Sequence, residues 1–112
     1  FIKYIINSLQ RINRQGISEV PSPTFNITNE YQIKKILIKH YDLYRIRNEK
    51  ELNNLGIQEN LKKQITLVEW PEMVKKLKIK NIISLIFKYN KNYTERYLTI
   101  ISKNKKLINE FK

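Results

Sequence analysis

Three side chains in this sequence, Thr24, Asp42 and Glu69, place oxygen groups in a stiff loop or at the ends of predicted strands. Nucleotide hydrolysis uses such a set: a hydroxyl that binds a metal ion, a carboxylate beside the metal and a group that orients water. Each residue also has an ordinary structural role open to it. Thr24 would cap a turn, Asp42 would accept backbone N–H groups and Glu69 would pair with a surface lysine. The residues alone leave both interpretations open.

Glu69 ends a short apolar run, residues 65–69, whose β-branched side chains predict a buried, central β-strand. Pro71 cannot donate a ladder hydrogen bond, so this strand should end near Trp70. In open α/β sheets, ligands bind at the carboxyl ends of the strands. A carboxylate there commonly holds Mg²⁺ or positions water beside a triphosphate.

The length and composition favour one compact domain over residues 1–112, since 41% of the residues are hydrophobic. The absence of cysteine excludes disulfides and thiolate metal sites, and a single histidine excludes a histidine-rich one. No apolar run approaches the roughly 20 residues of a membrane span. No signal-peptide pattern is visible at Phe1. We therefore expect a cytoplasmic protein with no membrane partner.

The formal net charge of +12 has two possible origins. A basic protein commonly binds nucleic acid or another anionic surface. An A/T-rich genome gives the same balance without such a partner, and the chain has 19 Ile, 17 Lys and 13 Asn against 2 Gly. The lysines are scattered along the sequence, as on a solvated surface. Both origins stay open.

Hydrophobic periodicity and turn residues predict an α/β or α+β fold. Asn48 with Glu51 forms a capping-box pattern for a short helix that Gly56 ends. The predicted elements follow the chain in this order: a helix over 1–12, a short strand or turn carrying Phe25, Ile27 and Tyr31, a strand over 33–43, the helix after Asn48, the strand ending near Trp70, a short helix over 72–77, a hairpin of strands 79–89 and 95–102, and a closing helix over 103–112.

Four segments, in this order and spacing, resemble the TsaE family: S-P-T-F from Ser22, H-Y-D-L-Y-R from His40, L-G-I from Leu55 and L-V-E-W-P-E from Leu67. This family is the small P-loop ATPase subunit of the bacterial tRNA threonylcarbamoyladenosine machinery. The resemblance covers about residues 1–102. It implies a P-loop NTPase-like mixed sheet flanked by helices, ATP and Mg²⁺ as cofactors, and TsaB and TsaD homologues as partners. The resemblance implies that tRNA is reached through that complex.

The resemblance also implies roles for single residues. Asp42 and Glu69 correspond to the catalytic residues, with Glu69 at the Mg²⁺ ion. Thr24 corresponds to a switch-like loop that faces the nucleotide, and Arg96 to a basic residue near the adenine. The remaining motif residues are expected to support the site or to contact a partner: Ser22, Tyr44, Arg45 and Trp70.

One family motif, G-x-x-x-x-G-K-[ST], is absent from the sequence. Its backbone N–H groups and lysine hold the phosphates. The only glycines, Gly16 and Gly56, do not precede a Lys-Thr pair, and residues 1–12 match the helix that follows this motif in the family. We therefore expect a fold that lacks its first strand and phosphate loop. The 112-residue chain is expected to be inactive as an ATPase by itself, and marginally stable or prone to aggregate.

In the main hypothesis, the protein supports repeated turnover of the complex that transfers threonylcarbamoyl to adenosine 37 of tRNA. Two further hypotheses stay open. One is a basic, noncatalytic nucleic-acid-binding domain in which Tyr89, Tyr93 and Tyr97 stack on bases. These tyrosines would otherwise pack within the hairpin. The second is an inactive, truncated remnant of the ATPase.

Overall fold

The structure is a computed structural model that describes residues 1–23 and 26–110. The chain divides into two compact units, Phe1–Leu77 and Lys78–Lys112. Both contain strands and helices, so the fold is mixed α/β, as the sequence predicted. The expectation that residues 1–112 act as one domain stays a prediction. None of the helices in the described residues has the length and apolar character needed to cross a membrane.

The first unit contains a three-stranded sheet and three helical segments. Its elements are α1 (Ile2–Ile12), β1 (Thr28–Ile33), β2 (Ile36–Asp42), α2 (Glu49–Asn54), β3 (Ile65–Glu69) and a 3₁₀ turn (Val74–Lys76). The strand order is β1-β2-β3, with β1 antiparallel and β3 parallel to β2. The parallel pairing aligns the carboxyl ends of β2 and β3 at one edge of the sheet.

The structure corrects the prediction that Glu69 ends a central strand. Within the described residues β3 pairs only with β2, so β3 is an edge strand and β2 is central. Ile65 is 41% exposed, and the rest of β3 is half-buried. A β-branched run predicts the strand conformation, but it does not determine which neighbours flank the strand.

The predicted strand over 33–43 begins three residues too early, and the short strand or turn predicted before it is a strand, β1, that extends to Ile33. Ile33 ends β1, and it pairs with Ile36 at the start of β2, so Lys34 and Lys35 form the turn between them. Lys34 has φ 51°, in the left-handed region that glycine or asparagine usually occupies in a tight turn. The error arises because two lysines give no turn signal in the sequence.

Helix α1 packs on one face of the sheet. Ile6 of α1, Ile33 of β1 and Ile38 of β2 are fully buried together. Side chains alternate along a strand, so Ile38 shares its face with His40 and Asp42. The hydrophobic core therefore continues, along β2, into a polar end at the carboxyl edge.

Local hydrogen bonds fix the ends of α1 and α2. Gln10 of α1 is buried, and its amide bonds the hydroxyl of Ser18 at 2.8 Å and the Ser18 N–H at 3.2 Å. The Asn48 side chain accepts the N–H of Glu51 at 2.9 Å, which confirms the predicted cap. The Glu51 carboxylate accepts the N–H of Arg47 at 3.0 Å, one residue before the cap.

The second unit is a hairpin followed by a short helix. Strands β4 (Ile83–Tyr89) and β5 (Arg96–Ser102) pair antiparallel, which confirms the predicted hairpin. Helix α3 (Lys105–Glu110) packs against β5, and it begins two residues later than predicted. Phe111 and Lys112 of the predicted helix lie outside the described residues.

Candidate functional site

Asp42 and Glu69 lie side by side at the carboxyl ends of β2 and β3. They are register partners in the parallel ladder, so their side chains project from the same face of the sheet. The backbone continues this pairing for one more step, because the Leu43 N–H donates to the Glu69 carbonyl at 3.1 Å. The structure therefore brings the two predicted catalytic carboxylates together.

Asp42 is held by two hydrogen bonds to its carboxylate. The Ser22 hydroxyl donates to Oδ2 at 3.2 Å, and the Tyr44 N–H donates to Oδ1 at 3.1 Å. The second bond reaches two residues along the chain, as aspartate commonly does in turns. The Asp42 N–H donates to the Ile27 carbonyl at 2.9 Å. Ser22, predicted to support the site, thus contacts one of its carboxylates.

Glu69 is bonded to a buried histidine. His40 Nε2 lies 3.2 Å from Glu69 Oε2, and the imidazole side chain is only 3% exposed, against 41% for the glutamate side chain. An ionised carboxylate only accepts hydrogen bonds, so His40 Nε2 is the donor to Glu69 in its carboxylate form. His40 Nδ1 is buried and has no hydrogen-bond partner within the described residues. His40 therefore orients one oxygen of Glu69.

A cavity of about 170 Å³ opens between these side chains and the amino end of α1. Residues 1–3 line one wall, while Ser22, His40 and Glu69 line the others. Backbone N–H groups at a helix amino terminus favour anions. A larger cavity of about 240 Å³ lies beside α2, around Gly56 and Leu77, and has one carboxylate, Glu59. The chemistry of the side chains favours the smaller cavity as the candidate site.

Two exposed aromatic residues flank the carboxylates. The rings of Tyr44 and Trp70 are 5.0 Å apart and tilted by 57°. Tyr44 follows Asp42 by two residues, and Trp70 directly follows Glu69. Trp70 has φ 56°, an uncommon conformation for a bulky residue, and it precedes Pro71. The pair links the two loops that leave β2 and β3.

Three predicted site residues remain to be placed: Thr24, Arg45 and Arg96. Thr24 lies outside the described residues. Arg45 is exposed in the turn that follows β2. Arg96 begins β5 in the second unit, where its guanidinium lies 5.0 Å from the centre of the Tyr89 ring. Their predicted roles stay predictions.

The donor atoms at this edge fit a magnesium ion. Mg²⁺ prefers carboxylate oxygen and usually retains water and phosphate ligands, so proteins commonly supply only one or two carboxylates. Asp42 and Glu69 provide that number. Within the described ranges, no group of three or more His, Cys, Asp or Glu side chains could enclose a metal ion. The arrangement therefore fits a hydrated, phosphate-bound ion better than a closed structural metal site.

Sequence reasoning did not select His40 as a site residue. Its signal was present, because a residue two positions before Asp42 on the same strand must share the face of that carboxylate. A lone histidine is commonly a buried structural residue, and only the parallel register shows that it reaches Glu69.

The chain is similar to proteins of one family. The family model described as "Threonylcarbamoyl adenosine biosynthesis protein TsaE" matches residues 1–98. A Rickettsia conorii protein named tRNA threonylcarbamoyladenosine biosynthesis protein TsaE is 34% identical over 88 residues, 79% of this chain and 50% of that protein.

Proteins of the same name from two more bacteria give a similar result. The Borreliella burgdorferi protein is 37% identical over 76 residues, 65% of this chain and 56% of its own length. The Haemophilus influenzae protein is 42% identical over 65 residues, 57% of this chain and 40% of its own length. This chain thus spans about half the length of these relatives. Because the family model covers nearly the whole sequence, the chain belongs to the TsaE family.

Proposed function

We propose that this chain forms part of an ATPase that acts in tRNA threonylcarbamoyladenosine biosynthesis, in the cytoplasm. The observation that carries the proposal is the pairing of Asp42 with Glu69 at the carboxyl ends of two parallel strands. In open α/β sheets this edge is the usual place for a nucleotide and its metal ion. The names of the relatives supply the biosynthetic context.

In this proposal, Glu69 would hold a Mg²⁺ ion and Asp42 would orient the attacking water. A bound Mg²⁺ ion would neutralise phosphate charge. His40 would keep Glu69 Oε2 fixed, and Ser22 with the Tyr44 N–H would keep both oxygens of Asp42 fixed. Preorganised groups of this kind contribute to catalysis because they need no reorientation during the reaction.

The amino end of α1 would favour the binding of an anion on the same side of the sheet. Residues 1–3 line the cavity that also contains Glu69, and helix N–H groups favour phosphate. We also propose that the protein has a P-loop NTPase-like topology and binds ATP, and that a G-x-x-x-x-G-K-[ST] motif binds the phosphates. The gene sequence immediately upstream of the Phe1 codon tests it, because an in-frame motif of this kind supports a complete ATP site.

The relatives' biosynthetic role also suggests the partners. We propose that the protein acts with TsaB and TsaD homologues, and that its ATP hydrolysis supports their repeated turnover on tRNA. The exposed Tyr44–Trp70 pair is a suitable contact for these proteins, because aromatic residues are enriched at protein interfaces.

An activity assay tests the proposed carboxylate roles. The 112-residue chain alone is expected to show no ATP hydrolysis. In a protein that also contains the phosphate-binding motif, Asp42→Asn or Glu69→Gln should lower kcat by about 10²-fold or more. The same variants should fail to restore threonylcarbamoyladenosine in the tRNA of a TsaE-depleted bacterium, measured by mass spectrometry of tRNA nucleosides.

Glu72→Gln is the matched control. Glu72 is an exposed carboxylate three residues after Glu69, beyond Pro71. Its substitution should leave kcat and the modified tRNA unchanged. Full activity of Glu69→Gln, or ATP hydrolysis by the 112-residue chain that depends on Glu69, would contradict the proposal.

A further inference from the structure

The second unit carries a disproportionate share of the positive charge. Residues 78–112 contain nine Lys or Arg against two Glu, a charge of +7 in 35 residues, whereas residues 1–77 carry only +5. An A/T-rich genome would enrich lysine in both units alike. Genome composition therefore does not account for the greater charge of the shorter unit.

Two tyrosines and an arginine cluster at the turn of the β4–β5 hairpin. The rings of Tyr89 and Tyr93 lie 5.6 Å apart, and the Arg96 guanidinium lies 5.0 Å from the centre of the Tyr89 ring. Tyr89 and Arg96 are cross-strand partners, so both project from one face. The tyrosines are 51% and 78% exposed, which leaves much of their surface accessible.

Tyr97 belongs to the opposite face of the hairpin. It pairs with Lys88, one residue before Tyr89, and side chains alternate between faces. Its hydroxyl donates to the Glu95 carboxylate at 2.5 Å, a bond that raises the pKa of the phenol. Glu95 is thus engaged by Tyr97, while Arg96 lies against Tyr89.

We propose that Tyr89, Tyr93 and Arg96 form a stacking surface for an unpaired base of RNA, with lysines of the same unit supplying positive charge for the phosphates. Proteins that bind single strands combine aromatic side chains for the bases with positive charge for the backbone. Arginine contributes through its flat guanidinium, which stacks on rings and bases. The choice of RNA as the ligand rests on the proposed function in tRNA modification. The stacking of a base on the aromatic cluster is argued from the structure and does not rest on that function.

Fluorescence anisotropy of the full chain with a short fluorescein-labelled single-stranded RNA tests this surface. Tyr89→Ala, or Tyr93→Ala in the turn, should weaken binding by about 5- to 150-fold, because base–aromatic stacking contributes about 1–3 kcal/mol per base. Tyr89→Phe should bind like the wild type. Tyr97→Ala is the matched control, since Tyr97 is 54% exposed on the opposite face and its loss should change binding little.

Three further measurements distinguish base stacking on this surface from purely electrostatic binding and from nucleotide binding. A duplex of the same sequence should bind more weakly, because its bases are already stacked. Heparin, a polyanion without bases, should bind the wild type and Tyr89→Ala equally. ATP should not displace the RNA. Circular dichroism establishes that each variant is folded.

Several outcomes would overturn the proposal. One is equal RNA affinity of the wild type, Tyr89→Ala and Tyr93→Ala. Another is a loss of heparin binding in these variants that is as large as their loss of RNA binding. The others are displacement of the RNA by ATP and clearly tighter binding of single-stranded DNA than of RNA. Displacement by ATP would assign the cluster to a nucleotide site instead. None of these results depends on ATPase activity, so failure here is distinguishable from failure of the proposed enzymatic function.

Discussion

At the scale of single residues, His40 joins the core of the first unit to its polar edge. The residue is only 2% exposed, and it shares the face of β2 with the buried Ile38. Its Nε2 bonds Glu69 at 3.2 Å. The imidazole therefore contributes both packing volume and a hydrogen bond, and substitutions can separate these two contributions.

His40→Ala should lower the free energy of unfolding by about 1–3 kcal/mol, because it leaves a cavity and removes the donor to Glu69. His40→Leu should lose less, since it refills most of the volume. Chemical denaturation measures both. Tyr4→Ala is the control, because Tyr4 is 76% exposed on α1 and its loss should cost under about 0.5 kcal/mol. A His40→Ala change as small as the control would contradict this packing role.

The individual site residues differ in how far the sequence could identify them. Asp42 and Glu69 were selected because each ends a predicted strand, but their adjacency depends on a parallel register between segments 27 residues apart. Local patterns do not encode such a register. The bond from Ser22 to Asp42 likewise joins residues 20 positions apart. The residue types alone left a joint role of Asp42 and Glu69 open, and the family resemblance favoured it.

At the scale of elements, Gly56 ends α2 because it adopts φ +62° just after the last turn. A left-handed residue after a helix is usually glycine, since a Cβ atom there is strained. Gly16 follows α1 in a different way. A Cβ built on Gly16 meets no atom within 4 Å, and its φ lies outside the left-handed region. Gly16 therefore serves as a matched control for a substitution at Gly56.

Gly56→Ala should lower the free energy of unfolding by about 1–2 kcal/mol, because alanine is strained at this φ. The added Cβ would also lie 3.2 Å from the Glu59 carboxylate, which can move away. Gly16→Ala should be neutral or stabilise by about 0.4–1 kcal/mol, because it reduces the freedom of the unfolded chain. Thermal unfolding of both variants measures the difference. Equal effects would show that the backbone conformation at residue 56 is not the cause.

The sequence predicted the elements best where a strong local signal marked their ends. Pro71 and Glu69 defined the end of β3, and the turn at Asn90 defined the hairpin. The turn between β1 and β2 has no such signal, since it consists of Lys34 and Lys35. A helix was predicted over residues 72–77, and the structure has only a 3₁₀ turn there, Val74–Lys76. Two lysines in its three residues leave only Val74 buried, so little packing favours a longer helix.

At the scale of the whole molecule, the open side of β3 is a site where the chain is expected to associate with other chains. In the part of the chain that the structure describes, β3 bonds β2 on one side and no strand on the opposite side. Unpaired strand edges bind other chains, and exposed apolar residues on them favour aggregation. The same edge would accept a further strand in a longer protein. Solution behaviour of the 112-residue chain therefore reports on this edge.

The isolated chain should associate as its concentration rises, and Ile65→Lys should shift it towards the monomer. Ile65 is 41% exposed at the start of β3, and a charge on an edge strand opposes pairing with a second copy. Ile12→Lys is the matched control, since Ile12 is 77% exposed on α1 and belongs to no strand. Size-exclusion chromatography with light scattering gives the mass of each variant. A wild-type chain that stays monomeric at high concentration, or equal effects of both lysines, would show that the β3 edge does not drive association.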